Sequence, residues 1–151
     1  MPVVPKAANA SLSDLFQAQP PTALLRLQSR SQFQAVLNGQ TLARSAHFSL
    51  HGLTLEDCDD QARRLFAPAG VWIGAMVPKR WARRAVTRNT IKRQIYAVSR
   101  DAFFKPIPAA YLVRLRAGFD PARFISACSP QLKKAVRMEL AGLLAASGVC
   151  A

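Results

Sequence analysis

Between residues 71 and 116 the chain changes its hydrophobic period twice, and any fold it adopts must accommodate that change. Residues 71–77 are an apolar run bounded by Pro78, the pattern of a mostly buried strand. Ile91, Ile95, Val98 and Ala102 then recur at helical spacing, with Asn89, Arg93, Tyr96 and Arg100 on the opposite side of the same cylinder. This predicts a helix over about 85–104. Pro106 and Pro108 break it, and Tyr111-Leu112-Val113-Arg114-Leu115-Arg116 forms a further strand pattern stopped by Gly118 and Pro121.

Upstream, Ser31-Gln32-Phe33-Gln34 has the form of a capping box and Asn38-Gly39 that of a left-handed stop, which predicts a short helix over residues 32–37. From 46 to 53 the polar His47, Ser49 and His51 alternate with Phe48, Leu50 and Gly52, the period of a strand with one apolar and one polar face. Glu56, Asp57, Asp59 and Asp60 follow as a solvated hairpin loop, so this strand is expected to pair antiparallel with 71–77. Ser129-Pro130 puts a cap before an N1 proline, and Leu132, Val136, Leu140 and Leu143 make the buried stripe of a last helix. The element order expected is α-β-β-α-β-α. No internal repeat is present.

The 151 residues, half of them apolar, suit one domain and not two. Residues 1–22 mix Ala, Pro, Ser and Gln and are expected as a flexible tail. Ser11, Leu12, Leu15 and Phe16 allow one amphipathic turn there, with no role assigned. Residues 23–147 form the domain and 148–151 a C-terminal tail. The N-terminus lacks the apolar core of a signal peptide, and no run approaches the roughly 20 apolar residues that span a bilayer. Cys58, Cys128 and Cys150 are odd in number and far apart, without metal or redox spacing, so three inert thiols in a reducing cytoplasm are expected.

Charge narrows the function. Lys and Arg number 21 against 8 Asp and Glu, a net +13, which points to a polyanionic partner. Lys79, Arg80, Arg83, Arg84, Arg88, Lys92, Arg93, Arg100 and Lys105 crowd into one stretch with Asp101 as its single acid. Clustered cations gain affinity for nucleic acid by releasing counterions, and guanidinium forks suit phosphate oxygens. Arg88 and Lys92, four apart, lie beside the Asn89 and Arg93 face on the predicted helix. Composition alone leaves three classes open: an RNA-processing subunit, another basic RNA-binding module such as a small ribosomal protein, or a basic DNA-binding protein. The last lacks a helix-turn-helix or zinc module.

The order of residues separates these classes. Val77-Pro78-Lys79-Arg80, then Arg83-Arg84-Ala85, then Arg88-Asn89-Thr90-Ile91-Lys92-Arg93 resembles, at matching spacing, the signature of the bacterial ribonuclease P protein family. Arg26-Leu27 with Phe33-Gln34-Ala35-Val36 resembles the family's first helix, and residues 111–116 its later strand. The resemblance covers about residues 26–145. It implies an α/β (α+β) sandwich with a small mixed sheet packed by helices, in a protein that binds a catalytic RNA and the five-prime leader of precursor tRNA, with magnesium held mainly by RNA and the cleavage performed by the RNA subunit. It further implies contact with the RNA subunit by Arg88, Asn89, Lys92 and Arg93, seconded by Arg84 and Lys79. Leader contact falls to Phe33, Leu37, Ser49 and His51, in a cleft between the first helix and the sheet. A left-handed crossover between the 71–77 and 111–116 strands is also implied, against the usual right-handed rule. Thr90 stands where the motif usually carries a second Arg, and Leu37 and His51 where aromatics are common.

A protein-borne nuclease centre is not expected. Such a centre needs carboxylates around a metal, or an acid and base within reach of one phosphate. The acids at 56–60 lack the spacing and glycine of a calcium loop. His47 and His51 on one strand stand about 13 Å apart, too far to share an ion. No nucleophile elbow, Walker loop or zinc spacing occurs.

Overall fold

A computed structural model describes residues 24–67, 70–102, 104–119 and 129–150. The expected N-terminal tail, with Ser11, Leu12, Leu15 and Phe16, and Cys128 lie outside the described residues. In chain order come β1 (Leu24–Arg26), α1 (Arg30–Leu37), β2 (Gln40–Arg44), β3 (Phe48–Thr54), a 3-10 turn (Leu55–Asp57) and α2 (Asp60–Arg64). Then follow β4 (Val71–Met76), α3 (Ala85–Asp101), β5 (Ala109–Leu115) and α4 (Pro130–Ser147). The strands form one mixed five-stranded sheet in the order β1-β4-β5-β3-β2. β4 lies parallel to both β1 and β5, while β3 runs antiparallel to β5 and β2.

The expected helices and strands are present, but the pairing differs. β3 and β4 do not touch edge to edge, because β5 lies between them and pairs with both. The 56–60 segment is therefore a crossover and not a hairpin loop. Asp59 caps α2 by accepting from the amide of Ala62, at 2.8 Å. Two strands were not expected. β1 is only three residues long, too short to show alternation. β2 contains a register shift between Thr41 and Ala43, which destroys the period of two. Arg26 consequently ends β1, and Leu27 follows it; neither belongs to α1.

α3 and α4 cover one face of the sheet, where Phe48, Leu50, Ile73, Leu115 and Val136 join Ile91 and Ile95 in the larger core cluster. α1 and the 55–66 segment cover the other face, over Val36, Phe66, Trp72 and Leu112. Each such side chain removed from water contributes about 1.5–3 kcal/mol. With both faces covered, β3 has no solvated side: Ser49 and His51 are buried as well as Phe48 and Leu50. The alternation in its sequence separates two covered faces, with Phe48 and Leu50 in the core under α3 and α4 and Ser49 and His51 on the α1 side.

α1 begins earlier than expected. Its N-cap is Ser29 and not Ser31, with Gln32 closing the capping box. Gln32 Oε1 accepts from the amides of Gln28 (2.7 Å) and Ser29 (3.1 Å), while its Nε2 donates to the carbonyl of Leu65 at 2.6 Å. That distant carbonyl selects the first of two overlapping box patterns. The helix stop is also different. Asn38 has φ −77°, so no left-handed residue ends α1. Gly39 is needed for closeness, since a Cβ there would lie 2.5 Å from the carbonyl oxygen of Gly52.

α4 starts as expected, with Ser129 Oγ accepting from the amide of Leu132 and Pro130 in the first turn. Gly148, at φ 74°, turns the chain back into the core. Residues 148–150 are thus no tail: Val149 is buried, its carbonyl accepts from Lys105, and Cys150 bridges to Phe104.

Candidate nucleic-acid interface

α3 turns Ile91, Ile95 and Ser99 into the core and leaves Asn89, Arg93 and Arg100 exposed, with Lys92 half-buried beside them. Lys79, Arg80, Arg83 and Arg84 are exposed on the loop that enters the helix. Among the described residues, none of the nine cations from Lys79 to Lys105 is ion-paired. Arg84 is the N-cap and makes no side-chain cap hydrogen bond, so the positive end of a 17-residue helix opens among four loop cations. Arg26 extends this surface from β1, with its guanidinium 4.0 Å from the centre of the Tyr96 ring. The sequence marked Arg26 only through the family resemblance, which set it with the first helix and not on a strand three residues long.

Two motif positions do something other than offer a free charge. Arg88 is half-buried, and its Nη1 donates to the carbonyls of Ala82 (3.1 Å) and Arg83 (2.8 Å). It fixes the loop that carries the other cations. Thr90 is buried, with Oγ1 donating to the carbonyl of Val86 at 2.9 Å. This position therefore faces into the protein, and the sheltered hydroxyl is back-bonded to its own helix.

The second group of expected residues meets at the opposite cover. Phe33 and Leu37 on α1 are half-buried and pack on the cluster containing Trp72 and Leu112. His51 is in register with Leu112 and Ser49 with Arg114, so these side chains share the α1 face of the sheet. Ser49 Oγ lies 3.1 Å from His51 Nε2, and Thr41 Oγ1 lies 3.3 Å from His51 Nδ1. Burial, followed by the charges of Arg114 and Arg44, pushes the pKa of His51 below its ordinary value. The imidazole is consequently neutral near pH 7 and engaged at both nitrogens, a positioning arrangement more than that of a general base. Arg114 Nε is buried without a hydrogen-bond partner. Arg44 and Arg114 thus place two guanidinium groups at the wall of this cleft. Neither stood out in the sequence, because each is an isolated charge within a strand.

His47 leaves this face altogether. Its Nδ1 lies 2.7 Å from Glu139 Oε1 on α4, and its ring stacks on Phe119 at 4.0 Å. Glu139 also accepts from the hydroxyl of Ser45 and the amide of His47. Burial opposes ionisation of Glu139, but those hydrogen bonds and the His47 charge outweigh it, and its pKa falls below the ordinary value. Of the other acids, Asp59 caps α2 and Asp60 faces Arg63 at 3.7 Å. Among the described residues no three His, Cys, Asp or Glu side chains are grouped as ligands. Cys150 is a free thiol, and the Cys58 thiol donates to the carbonyl of Thr54 at 3.2 Å. Among the described residues no helix is long and apolar enough to cross a membrane.

Comparison with known proteins agrees with this geometry. Residues 22–138 match the family model described as Ribonuclease P. A ribonuclease P protein component from Bordetella parapertussis is 39% identical over 119 residues, covering 76% of this chain and 85% of that protein. One from Bordetella petrii is 35% identical over 121 residues, covering 80% and 88%. Among solved structures, the Staphylococcus aureus RNase P protein superposes with a TM-score of 0.58 at 19% identity, covering 83% of this chain and 97% of that one. The Thermotoga maritima RNase P protein gives 0.53 at 18%, covering 79% and 94%. At those identities the structures speak for the fold.

Proposed function

The chain belongs to the ribonuclease P protein family, and on that premise we propose that α3 and its entry loop dock onto the catalytic RNA while the cleft under α1 receives the five-prime leader of precursor tRNA. As a family member it is the protein component of an endoribonuclease ribonucleoprotein that processes tRNA. The observation that carries the docking assignment is the run of eight cations along α3 and the loop before it, none of them ion-paired among the described residues.

In this reading the protein's work is electrostatic and geometric. Lys79, Arg84, Asn89, Lys92 and Arg93 meet phosphates of the RNA subunit, and Arg88 holds the loop that presents them. In the cleft, Arg114 and Arg44 attract the leader backbone, His51 and Ser49 form a neutral polar floor, and Phe33 and Leu37 give an apolar wall. Phosphate contacts of this kind position a strand without reading its bases. Among the described residues no group of His, Cys, Asp and Glu side chains could hold a metal ion. Magnesium is assigned to the RNA subunit and substrate, where it would stabilise the attacking and leaving oxygens. The partners are therefore the catalytic RNA and precursor tRNA, in the cytoplasm. The alternative of a ribosomal protein is not favoured by the family match.

The test is reconstitution with a bacterial ribonuclease P RNA at low magnesium. Addition of the purified protein is expected to accelerate precursor tRNA cleavage, while protein alone cleaves nothing. Absence of stimulation would overturn the proposal.

A further inference from the structure

Trp81 sits between the two basic clusters of the entry loop with part of its side chain in solvent. At 38% exposure it is the one aromatic among the large hydrophobic residues exposed in the described structure. The part of the ring left in water forgoes some of the stabilisation that full burial would contribute. Nor is the ring exposed because its loop is loose. The carbonyl of Pro78 accepts from the amides of both Trp81 (3.1 Å) and Ala82 (3.2 Å), and Ala82 is buried in the core beneath α3 and α4. Arg88 clamps the carbonyls of Ala82 and Arg83. Gly118 approaches so closely that a Cβ there would lie 2.8 Å from the Trp81 carbonyl oxygen. The backbone is held from three sides while the indole projects.

What surrounds the ring is charge. The Arg80 guanidinium lies 5.4 Å from its centre, and Lys79, Arg80 and Arg83 line an open hollow of about 470 Å³. A flat π surface beside unpaired cations is suited to a nucleotide, with its base stacked on the ring and its phosphate among the cations. A peptide or lipid surface would use the cations but not require the fixed ring. The Trp81 loop rests on the α3 and α4 side of the sheet through Ala82, away from the α1 cover. We propose that Trp81 is a stacking platform for an unpaired nucleotide of the catalytic RNA, with Lys79 and Arg83 receiving that nucleotide's phosphate. This deepens the docking reading and rests on it.

The experiment compares full-length wild type, Trp81→Leu and Trp81→Phe for binding to the ribonuclease P RNA transcript between 50 and 200 mM salt, with heparin as a base-free polyanion. Trp81→Leu is expected to weaken RNA binding about tenfold, the scale of one lost base stack. The slope of log affinity against log salt stays unchanged because no cation is lost, Trp81→Phe retains most of the affinity, and heparin binding is equal for all three. Wild-type affinity in Trp81→Leu overturns the platform, as does an equal loss towards heparin. A defect confined to precursor tRNA, with RNA-subunit binding intact, also overturns it by moving the nucleotide to the leader. Failure of the wild-type protein to bind the transcript overturns the docking reading itself, and is distinguishable from the other outcomes.

Discussion

Arg88 and Arg93 belong to the same motif, yet the structure assigns them different energetics, and replacing each by Ala separates the two. Arg93 is exposed and not ion-paired. Its removal should change stability by no more than about 0.5 kcal/mol. It should remove one phosphate-equivalent from the salt dependence of RNA binding, a slope change of about 0.9. Between 50 and 200 mM salt the slope change alone makes the defect about 3.5-fold larger at the lower salt. Arg88 also holds two carbonyls through Nη1, at 3.1 and 2.8 Å. At about 0.5–1.5 kcal/mol for each hydrogen bond, discounted for partial exposure, Arg88→Ala should cost about 1.5 kcal/mol. For a domain of this size that lowers Tm by about 5 °C. Thermal unfolding followed by circular dichroism, alongside filter binding to the transcript across the salt range, measures both quantities. Equal Tm losses for the two variants would refute the positioning role of Arg88. An unchanged salt slope in Arg93→Ala would remove the exposed edge of α3 from the interface.

Four further outcomes follow from other parts of the molecule. Gly39→Ala forces a methyl to 2.5 Å from the Gly52 carbonyl, so it should destabilise by about 1–3 kcal/mol in a denaturant titration. The carboxyl of Glu139 has its pKa held below its ordinary 4.5. Its stabilisation is complete above that value and is lost as pH falls through the lower folded-state value, so Glu139→Gln should flatten the acid limb of Tm against pH. His51, whose pKa is lowered by burial and by Arg114 and Arg44, acts in the same direction: stability is full above its ordinary value of 6.5 and declines as pH falls through the folded one. Arg114→Met should weaken precursor tRNA binding by the reconstituted holoenzyme severalfold while leaving mature tRNA and RNA-subunit binding unchanged, and an equal loss for both tRNAs would count against the leader cleft.

The cation run from Lys79 to Lys105, the α3 stripe through Ile91 and Ile95, and the Ser129-Pro130 start of α4 were all legible in the sequence. Each is a local property: charge density, a period of 3.6, or a cap three residues from the amide it binds. Local properties also placed Asn89 and Arg93 on an exposed helix edge. Where the expectations from sequence were wrong, the cause was long-range. Whether Ser29 or Ser31 caps α1 depended on Gln32 reaching the Leu65 carbonyl, 33 residues away. Whether β3 pairs with β4 depended on β5 lying between them. The cleft formed only when α1 covered the face that carries Ser49, His51 and Arg114, while α4, packed on the opposite face, drew His47 to Glu139. Hydrophobic period and charge are written in near neighbours. Strand order and the partner of a buried polar group are fixed by which distant surfaces exclude water from one another, and only the folded chain decides that.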